Sequence, residues 1–571
     1  RRGRKGDYGT PGRAGVSGMK VLVIGLDGVT FDLLGPWIES GDLPNLRKLV
    51  EQGASGKLRT TLPPISSSSW SSFLTGVNPG KHGLVDFVYP GADSYKVSMI
   101  NATSRRTRSL WNWLNDAGFK VGLLGIPTTY PTEPVNGFMI SGFLAPGPDS
   151  EWAYPPELKQ ELRAELGEFQ LSPDERYRST RWLDRFLEDL TASVENRTQA
   201  ALYLMRNKPW DLFAVVYWDT DMVQHETWRL LDPNHPRHDS EEAAAQRDQI
   251  LAFHRKVDAD VGRLLAEVDS DTLVVVMSDH GFGPVHSFFL TNNWLASLGL
   301  LQFKSNPWTT LKRALFRLGF TPLQMFRIVK ALGMGKLRRQ VRFQQKAGLL
   351  NRVFLSFDDV DWSRTQAFSI GSFGQVYVNL AGVRPEGIVQ PGQEYEELKE
   401  RITREAMALR DPRSGEPLVE RVYRREEIYS GPYIDRTPDL IVQPQGWQYM
   451  AFGHADFGSN KLVEPIIGLS GHHRPDGVLI LSGEGVKPGT HVEGAHILDL
   501  APTILHAMGI DVPQDLDGRV LDEAFEPSSP VSQPVSYSQA NVYKDGASEP
   551  DLSDEEMEEV QEKLRGWGYA G

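Results

Sequence analysis

The chain has 571 residues, 40% apolar and 24% charged, values typical of a globular protein large enough to bury a sizeable core. It contains no cysteine, which excludes disulfides, thiolate zinc sites and a cysteine nucleophile. The formal net charge of −13 argues against a general nucleic-acid-binding protein, so we expect no specific nucleic acid among its partners.

Neither a membrane span nor a secretory signal is visible in the sequence. No apolar run approaches the roughly 20 residues that a transmembrane helix needs. No apolar stretch near the N-terminus resembles a signal peptide. We therefore expect a cytoplasmic protein.

Residues 1–18 are basic and carry a glycine at every third position, from Gly3 to Gly18. The period resembles collagen, but six triplets with one proline are too few to hold a triple helix. We expect a disordered basic tail.

From Met19 to about Leu295, apolar runs alternate with helical patterns. This alternation predicts an α/β fold with a doubly wound, mostly parallel sheet. The runs are VLVIGL (21–26), KVGLLGI (120–126), LFAVVYW (212–218) and TLVVVM (272–277), and helices are expected near Leu43–Gln52, Tyr177–Arg206 and Ala243–Val268.

The stretch Lys304–Arg352 departs from this pattern, with twelve Lys or Arg and no Asp or Glu. Its apolar residues recur near helical spacing, which predicts two or more amphipathic helices. These residues are Leu311, Leu315, Leu318, Phe326 and Val329. The stretch is either a solvated basic face or a surface that attracts an anionic substrate or an anionic membrane.

The remaining patterns complete the domain organisation. Strand runs at 368–380 and 418–424 and a helix near Glu394–Arg410 predict a small α/β subdomain, after which the sheet resumes at GVLILSG (477–483). Pro and Ser are frequent from 526, which predicts a linker, and Ser553 opens a capping-box pattern for a final acidic helix. We therefore expect a tail at 1–18, a core at 19–300 and 450–525, an inserted cap at 301–449, and a linker with a C-terminal helix at 526–571.

Five separate patches carry residues that suit a site for two metal ions. Two of the patches directly follow apolar runs that predict buried strands, and ligands of open α/β sheets gather beyond the carboxyl ends of the strands. The patches are Asp27, a serine in SSSSW (66–70), Asp221 with His225, Asp279 with His280, and His473.

The chemistry of these side chains favours a transition metal. Aspartate oxygens and histidine nitrogens together suit Zn or Mn, whereas oxygens alone would favour Mg or Ca. Asp221 and His225 are four residues apart, so they share one face of a helix. Two ions about 3.5–4 Å apart can stabilise the attacking and leaving oxygens of a displacement at phosphorus. A serine or threonine hydroxyl beside such ions becomes a nucleophile at neutral pH.

In this order and spacing the patches resemble the alkaline phosphatase superfamily, and within it the type I phosphodiesterase/nucleotide pyrophosphatase branch. The resemblance spans roughly Met19 to Leu521. In that branch the nucleophile lies nine residues before a Thr-Gly pair that is soon followed by His-Gly. Thr75 and Gly76 match this pair, so the resemblance implies Ser66 as the nucleophile.

The resemblance also implies the ligand sets and an alkaline phosphatase-like fold. Asp27, Asp279 and His280 would surround the first ion, with Ser66 also a ligand. Asp221, His225 and His473 would surround the second. Zinc is the metal that the family favours, and manganese would fit the same ligands. Most sulfatases in this superfamily use a cysteine-derived formylglycine, which a chain without cysteine cannot form.

Two departures from the family pattern leave alternatives open around the nucleophile. The proline two places after the family nucleophile is Ser68 here, and Ser69 follows it. Within this serine run Ser67 is the alternative nucleophile. Ser69 and Trp70 are candidate substrate-binding residues, and the apolar spacing from Trp70 predicts that the nucleophile lies at a helix start.

Other polar residues near the motifs are rivals for the metal positions. His472 is a rival of His473, although the family pattern selects His473 and leaves its neighbour supporting or exposed. Asp219 would replace Asp221 only with a shift of helix register. His82 and His286 are expected to be structural or solvent-facing.

The leading functional hypothesis is a metal-dependent hydrolase of phosphodiester or pyrophosphate bonds, acting on a small phosphorylated or nucleotide-like substrate through Ser66. The alternative is a phosphomonoesterase or phosphomutase on the same scaffold, with extra cations such as Lys81 or Arg474 for the additional phosphate charge. A third hypothesis is a catalytically silent scaffold that binds anionic partners through the basic stretch. An anionic membrane surface is a further candidate partner, and the sequence does not indicate an oligomeric state.

Overall fold

A computed structural model describes most of the chain. Residues 1–18, from which we predicted a tail, and the predicted C-terminal helix from Ser553 lie outside the described residues, apart from Val560. The described residues are 19–91, 94–95, 97–142, 144–147, 149–167, 169, 183–331, 353–453, 457–544 and 560.

The strands of these residues are labelled in chain order. They are β1 (Val21–Leu26), β2 (Ala54–Arg59), β3 (Val88–Pro90), β4 (Val97–Met99), β5 (Val121–Ile126), β6 (Gly137–Ser141), β7 (Ala153–Tyr154), β8 (Leu212–Tyr217), β9 (Leu273–Met277), β10 (Gly281–Pro284), β11 (Ser287–Leu290), β12 (Ala367–Ser369), β13 (Gln375–Val378), β14 (Val419–Arg424), β15 (Leu440–Pro444), β16 (Tyr449–Phe452), β17 (Val463–Pro465), β18 (Gly471–Arg474), β19 (Asp476–Ser482), β20 (Thr490–His491), β21 (Val512–Pro513) and β22 (Tyr537–Ser538).

The α-helices are labelled in the same way. They are α1 (Phe31–Ser40), α2 (Pro44–Gln52), α3 (Ser66–Thr75), α4 (Pro79–His82), α5 (Leu110–Asp116), α6 (Leu158–Leu166), α7 (Leu183–Asn207), α8 (Asp219–Leu231), α9 (Ser240–Leu265), α10 (Thr291–Ser297), α11 (Pro307–Arg317), α12 (Pro322–Ala331), α13 (Gln393–Met407), α14 (Arg425–Ile428) and α15 (Leu500–Ala507). Short 3₁₀ helices lie at Ala102–Ser104, Phe357–Asp359, Trp362–Arg364, Ile434–Arg436, Gln445–Trp447, Ile497–Asp499, Asp522–Ala524 and Pro530–Ser532.

A nine-stranded sheet forms the centre of the molecule, in the order β20-β2-β19-β9-β1-β8-β5-β6-β7. Its middle strands β9, β1, β8, β5 and β6 are parallel, while β19 runs antiparallel to both β9 and β2. Every residue of β1, β5, β8 and β9 is buried, as their continuous apolar runs require of strands covered on both faces. The predicted mostly parallel α/β sheet is confirmed.

Strand polarity brings the five patches to one edge of this sheet. The last residues of β1, β8 and β9 lie side by side, because Leu26 pairs with Tyr217 and Gly25 with Met277. Since β19 is antiparallel, its start lies at this same edge, where Asp476 faces the end of β2 at Arg59. The segments that follow β1, β2, β8 and β9 and precede β19 therefore meet there.

Two groups of helices pack around the sheet. In one group α7 and α2 both contact α9, and in the other α15 contacts α3 and α5. The predicted helices are present within a few residues of the expected bounds, except that the part of the Tyr177–Arg206 helix before Leu183 lies outside the described residues.

A second, four-stranded sheet with the order β12-β13-β15-β14 lies between the predicted cap boundaries, with α13 packed against β14. Two small sheets are formed by the chain segments that connect the central sheet to this second sheet. They are the two-stranded ribbon of β10 and β18 and the three-stranded sheet β16-β11-β17. In the ribbon, Phe282 pairs with His473, which places β18 beside the segment that follows β9.

Part of the predicted basic cap consists of the amphipathic helices α11 and α12, while residues 332–352 lie outside the described residues. The segment that we predicted as a linker lies against the core over residues 526–544. Val531 and Val542 are buried, and β22 pairs with β21, because apolar residues interrupt the Pro/Ser-rich sequence. Among the described residues, no helix is both long enough and apolar enough to cross a bilayer.

Candidate metal centre

The first cluster at the sheet edge consists of Asp27, Ser66, Asp279 and His280. The Nε2 atom of His280 lies 3.5 Å from Asp27 Oδ1, 3.4 Å from Asp279 Oδ2 and 3.2 Å from Ser66 Oγ. Asp27 directly follows β1, and Asp279 follows the neighbouring strand β9. One ligand atom from each of Asp27, Asp279 and His280 falls within a span of 4.8 Å.

The second cluster consists of Asp221, His225 and His473. His225 Nε2 lies 3.3 Å from Asp221 Oδ2, and His473 Nε2 lies 3.1 Å from Asp221 Oδ1. The two Nε2 atoms are 3.2 Å apart. Asp221 and His225 occupy one face of α8, as their four-residue spacing predicts, and β18 supplies His473.

The two clusters form one continuous site. The rings of His280 and His473 are stacked with centroids 3.7 Å apart. Ligand atoms of Asp221, His280 and His473 also lie within 4.8 Å of one another. The structure thus brings together all seven residues that the sequence placed in five patches.

Backbone carbonyls orient all three imidazoles through their Nδ1 atoms. His225 Nδ1 lies 2.9 Å from Gly471 O, His473 Nδ1 lies 2.9 Å from Pro64 O, and His280 Nδ1 lies 3.1 Å from Gly281 O. A histidine that donates Nδ1–H to a carbonyl leaves Nε2 as a lone-pair donor, the tautomer that a metal requires. All three Nε2 atoms belong to the short contacts inside the clusters.

The carboxylates of the first cluster are held from one side. Trp70 donates its indole N–H to Asp27 Oδ2 at 2.9 Å, and the backbone N–H of Gly28 donates to Asp279 Oδ1 at 3.3 Å. The second oxygens, Asp27 Oδ1 and Asp279 Oδ2, are buried and have no hydrogen-bond donor among the described residues. Buried carboxylate oxygens in this state are costly unless a cation neutralises them.

The pKa shifts of the three aspartates also favour a bound cation at the site. Burial, followed by repulsion from Asp279 and Asp221, raises the pKa of Asp27 well above its ordinary value. Burial also raises the pKa of Asp279 to about 7, with Asp221 adding to the effect. Burial opposes ionisation of Asp221 too, but His225 and His473 hold the pKa of this carboxyl well below its usual range. Three buried carboxyl groups in contact with imidazoles are a donor set that fits divalent transition metals.

Ser66 is the first residue of helix α3, as predicted for the nucleophile. The residue before it, Ile65, is the N-cap and makes no side-chain capping hydrogen bond. The first N–H groups of a helix have no partner within the helix, so they remain available to an anion at this point. The start of α3 therefore combines a hydroxyl with anion-favouring backbone groups.

The other serines of the run have different surroundings. Ser69 Oγ accepts a hydrogen bond of 2.7 Å from Thr60, and Ser68 Oγ lies 3.3 Å from the hydroxyl of Thr61. Ser67 Oγ is buried without a hydrogen-bond partner among the described residues. Ser66 has the hydroxyl that contacts His280.

Of the rival residues, His472 lies at the second cluster, because a ring nitrogen of His472 is within 4.8 Å of ligand atoms of His225 and His473, whereas Asp219 and His82 have other partners. His472 is buried rather than exposed, and its ring stacks on Phe373 with centroids 4.6 Å apart. Asp219 forms a buried ion pair with Arg197. His82 is buried beside Ser72, with 3.0 Å between Nε2 and the hydroxyl, and burial lowers its pKa to about 3.

Sequence reasoning missed two features of the site. Phe373, from the loop before β13 in the second sheet, covers the rings of His472 and His473. No signal in the sequence links a residue one hundred positions upstream to these histidines. Trp70 was predicted to bind substrate, but it is fully buried, with its indole bonded to Asp27 and its ring against Gly25.

The chain matches one family model and is similar in fold to solved structures. The family model described as Type I phosphodiesterase / nucleotide pyrophosphatase matches residues 21–461. No curated protein matches the chain significantly. A solved structure of phosphonoacetate hydrolase from Sinorhizobium meliloti 1021, in complex with phosphonoformate, is similar with a TM-score of 0.52 at 15% identity, covering 86% of this chain and 95% of that one. Murine ectonucleotide pyrophosphatase / phosphodiesterase 5 is similar with a TM-score of 0.45 at 12% identity over the same shares.

Proposed function

This chain belongs to the type I phosphodiesterase / nucleotide pyrophosphatase family, a family of phosphoric ester hydrolases, and on that premise we propose that it hydrolyses phosphodiester or pyrophosphate bonds with Ser66 as nucleophile and two divalent metal ions as cofactors. The observation that carries the proposal is the convergence of seven side chains, from five separate segments, on one edge of the sheet. A small phosphorylated or nucleotide-like compound is the proposed substrate.

In this proposal Asp27, Asp279 and His280 would hold the first ion, with the hydroxyl of Ser66 as a further ligand. Asp221, His225 and His473 hold the second. Two observations support this assignment: the buried carboxylate oxygens of the first cluster without donors, and the outward anchoring of each imidazole by a backbone carbonyl. The mixed oxygen and nitrogen ligands favour zinc, and manganese fits the same set.

When bound, the two ions would supply positive charge that favours the ionised serine and the oxygens on phosphorus. Ser66 would lose its hydroxyl proton to solvent and form a bond from Oγ to phosphorus, while the bond between phosphorus and the leaving oxygen breaks and the leaving group departs with that electron pair, as an alcohol or a phosphate. The product of this step is a phosphodiester between Ser66 and the retained part of the substrate. Water hydrolyses the bond between Oγ and phosphorus, which releases a monoester and restores the hydroxyl.

The start of helix α3 supports the same chemistry without any added group. Its first-turn N–H groups and the positive end of the helix dipole lie where the nucleophile begins the helix. They would hold the non-bridging oxygens of the substrate phosphate as negative charge builds up on them. Because the N-cap residue Ile65 makes no side-chain hydrogen bond to these N–H groups, they remain available to the substrate.

Phosphodiester substrates are preferred over phosphomonoesters because the candidate extra cations are engaged elsewhere. Lys81 forms a salt bridge of 2.5 Å with Asp517. Arg474 is half-buried, and its guanidinium donates to the backbone oxygens of His473 and Pro284. Because both side chains already have partners in the protein, we expect them to contribute little to binding the second negative charge of a monoester.

A comparison of two aryl substrates tests the proposal. We expect the metal-loaded protein to hydrolyse bis(p-nitrophenyl) phosphate with a kcat/KM at least about tenfold above that for p-nitrophenyl phosphate, and Ser66→Ala to abolish both activities. A clear monoester preference would favour a phosphatase or mutase on the same scaffold. Activity that survives Ser66→Ala at full rate would remove the proposed nucleophile.

A further inference from the structure

An apolar ridge stands exposed on helix α11 and the turn that follows it. Trp308 is 57% exposed, Leu311 is 47% exposed and Leu318 is 85% exposed. Positions 308, 311 and 318 lie on one side of a helix of 3.6 residues per turn. Phe320 and Ile328 add further exposed apolar surface beyond the turn. We call these five residues the α11 ridge.

The helix that bears the ridge is fixed to the body of the protein by its other face. Thr309 Oγ1 donates to Asp359 Oδ1 at 2.8 Å, and Lys312 Nζ donates to Asp359 Oδ2 at 2.9 Å. Asp359 and Lys312 are both buried. The ridge is therefore the outer face of an anchored amphipathic helix, and its exposure is a property of the fold.

Positive charge surrounds the ridge. Residues 304–331 carry six Lys or Arg and no Asp or Glu, in a chain whose formal net charge is −13. Lys304 and Arg317 are exposed and Arg313 is half-buried. The acidic side chains that pack against α11 and α12 are already paired, Asp359 with Lys312 and Glu464 with Arg327. Lys304, Arg313 and Arg317, which lie beside the ridge, are thus not neutralised by these two carboxylates.

The helix that follows the ridge contacts the chain segment that leads into the candidate metal centre. Leu323 of α12 donates its backbone N–H to Gly458 O, and Arg327 pairs with Glu464 in β17. Strand β17 pairs with β11 and is followed by β18, which carries His473. Helix α12, next to the ridge, is therefore joined through β17 to the strand that carries His473.

We propose that the α11 ridge is a docking surface for an anionic lipid bilayer. Tryptophan and leucine on one face, with Lys and Arg beside them, are the composition of helices that lie in the membrane interface. Anionic headgroups complement the Lys and Arg beside the ridge. Each one or two such residues near the membrane surface raises the affinity for the membrane about tenfold. A second copy of the chain fits less well, because a two-fold contact through the ridge would bring the same cations face to face.

Vesicle co-sedimentation of the full-length protein tests this proposal. The probes are vesicles of phosphatidylcholine alone and of phosphatidylcholine mixed with phosphatidylglycerol, at low and at high salt. The apolar variant is Trp308→Ser/Leu311→Ser/Leu318→Ser, and the charge variant is Arg313→Gln/Arg317→Gln. Matched controls on other exposed surfaces are Met407→Ser/Tyr537→Ser and Arg404→Gln/Arg421→Gln. Thermal unfolding checks that every variant is folded.

We expect the wild type to bind anionic vesicles at least about tenfold more tightly than neutral ones, and we expect its binding to anionic vesicles to weaken at high salt. Each ridge variant should lose at least about tenfold of that binding, while the controls bind like the wild type. Equal or absent binding of the wild type to the two kinds of vesicle would overturn the proposal. Unchanged binding of a folded ridge variant would also overturn it, as would a dimer that the apolar variant dissociates without any effect on vesicles. The assay does not measure hydrolysis, so its outcome is independent of the proposed function.

Discussion

The indole nitrogen of Trp70 lies 2.9 Å from Asp27 Oδ2, and this hydrogen bond joins the helix of the proposed nucleophile to the first strand of the sheet. Trp70 is four residues after Ser66 in α3, so it lies one helical turn from the hydroxyl. Asp27 directly follows β1, where Gly25 gives the indole the space it occupies. One contact therefore fixes the position of Asp27 relative to Ser66.

Replacement of the indole by a ring without a donor tests this contact. We expect Trp70→Phe to lower metal affinity at the first cluster, or activity, by roughly 10–100-fold, because groups that hydrogen-bond a metal ligand have effects of this size. Metal affinity measured by chelator competition and kcat/KM would be compared with those of Trp210→Phe. The indole of Trp210 is also buried but donates to Met205 O, away from the site. Equal effects of the two substitutions would contradict a specific function of Trp70.

Gly25 provides a test of the packing around the same indole. A Cβ at this position would lie 2.4 Å from the Trp70 ring, so Gly25→Ala must displace the ring or the strand. We expect a loss of roughly 1–3 kcal/mol in the free energy of unfolding, measured in urea, because overpacking in a close-packed core has this cost. Gly35→Ala is the control, since a Cβ there meets no atom within 4 Å. A neutral Gly25→Ala would mean that the indole has room to move.

The serine run allows the nucleophile to be located by substitution. We expect Ser66→Ala to lower kcat about a thousandfold or more while two metal ions still bind, because its hydroxyl is the one in contact with His280. Ser69→Ala should have a smaller effect through loss of the Thr60 hydrogen bond. Steady-state kinetics with the aryl diester would measure both. An active Ser66→Ala together with an inactive Ser67→Ala would move the nucleophile to Ser67.

Asp86 gives the stability of the fold a defined dependence on pH. It is buried between the N–H of Phe87 and the side-chain amide of Gln375, and burial raises its pKa to about 7. The folded protein therefore holds a proton on Asp86 that the unfolded chain releases near pH 4. The contribution of this proton to the free energy of unfolding is fully present below that pH, and it is lost as the pH rises through about 7.

The substitution Asp86→Asn removes this titration. We expect the free energy of unfolding of the wild type to fall relative to that of Asp86→Asn as the pH rises from 5 to 8. The fall should be up to about 1.4 kcal/mol per pH unit. Urea unfolding at each pH, with the same metal loading in both proteins, would measure the difference. The titration of Asp27 and Asp279 is common to both proteins and cancels. A difference that does not change with pH would contradict the raised pKa.

Much of the sheet and of the side-chain cluster at the candidate metal centre could be predicted from the sequence because the signals are local. The buried runs before Asp27 and Asp279 define strands whose ends must meet at one edge, and the four-residue spacing of Asp221 and His225 defines a helix face. The family pattern then selected His473 over His472. These predictions needed no knowledge of contacts between distant segments.

The features that were missed depend on tertiary packing. Phe373 contacts the imidazoles from the loop before β13, and the Trp70 side chain lies in the core because Gly25 leaves space for it beside β1. The polar composition from residue 526 predicted a linker, although Val531 and Val542 are enough to bury this segment against the core. In each case the decisive partner is far away in sequence, where neither periodicity nor composition carries a signal.

A metal titration of the chelator-stripped protein tests the central claim most directly. We expect the wild type to take up two equivalents of zinc, and Asp221→Ala and Asp27→Ala to take up one each, since each removes a ligand from one cluster. A wild type that binds no zinc or manganese would contradict the account of a two-metal phosphodiesterase.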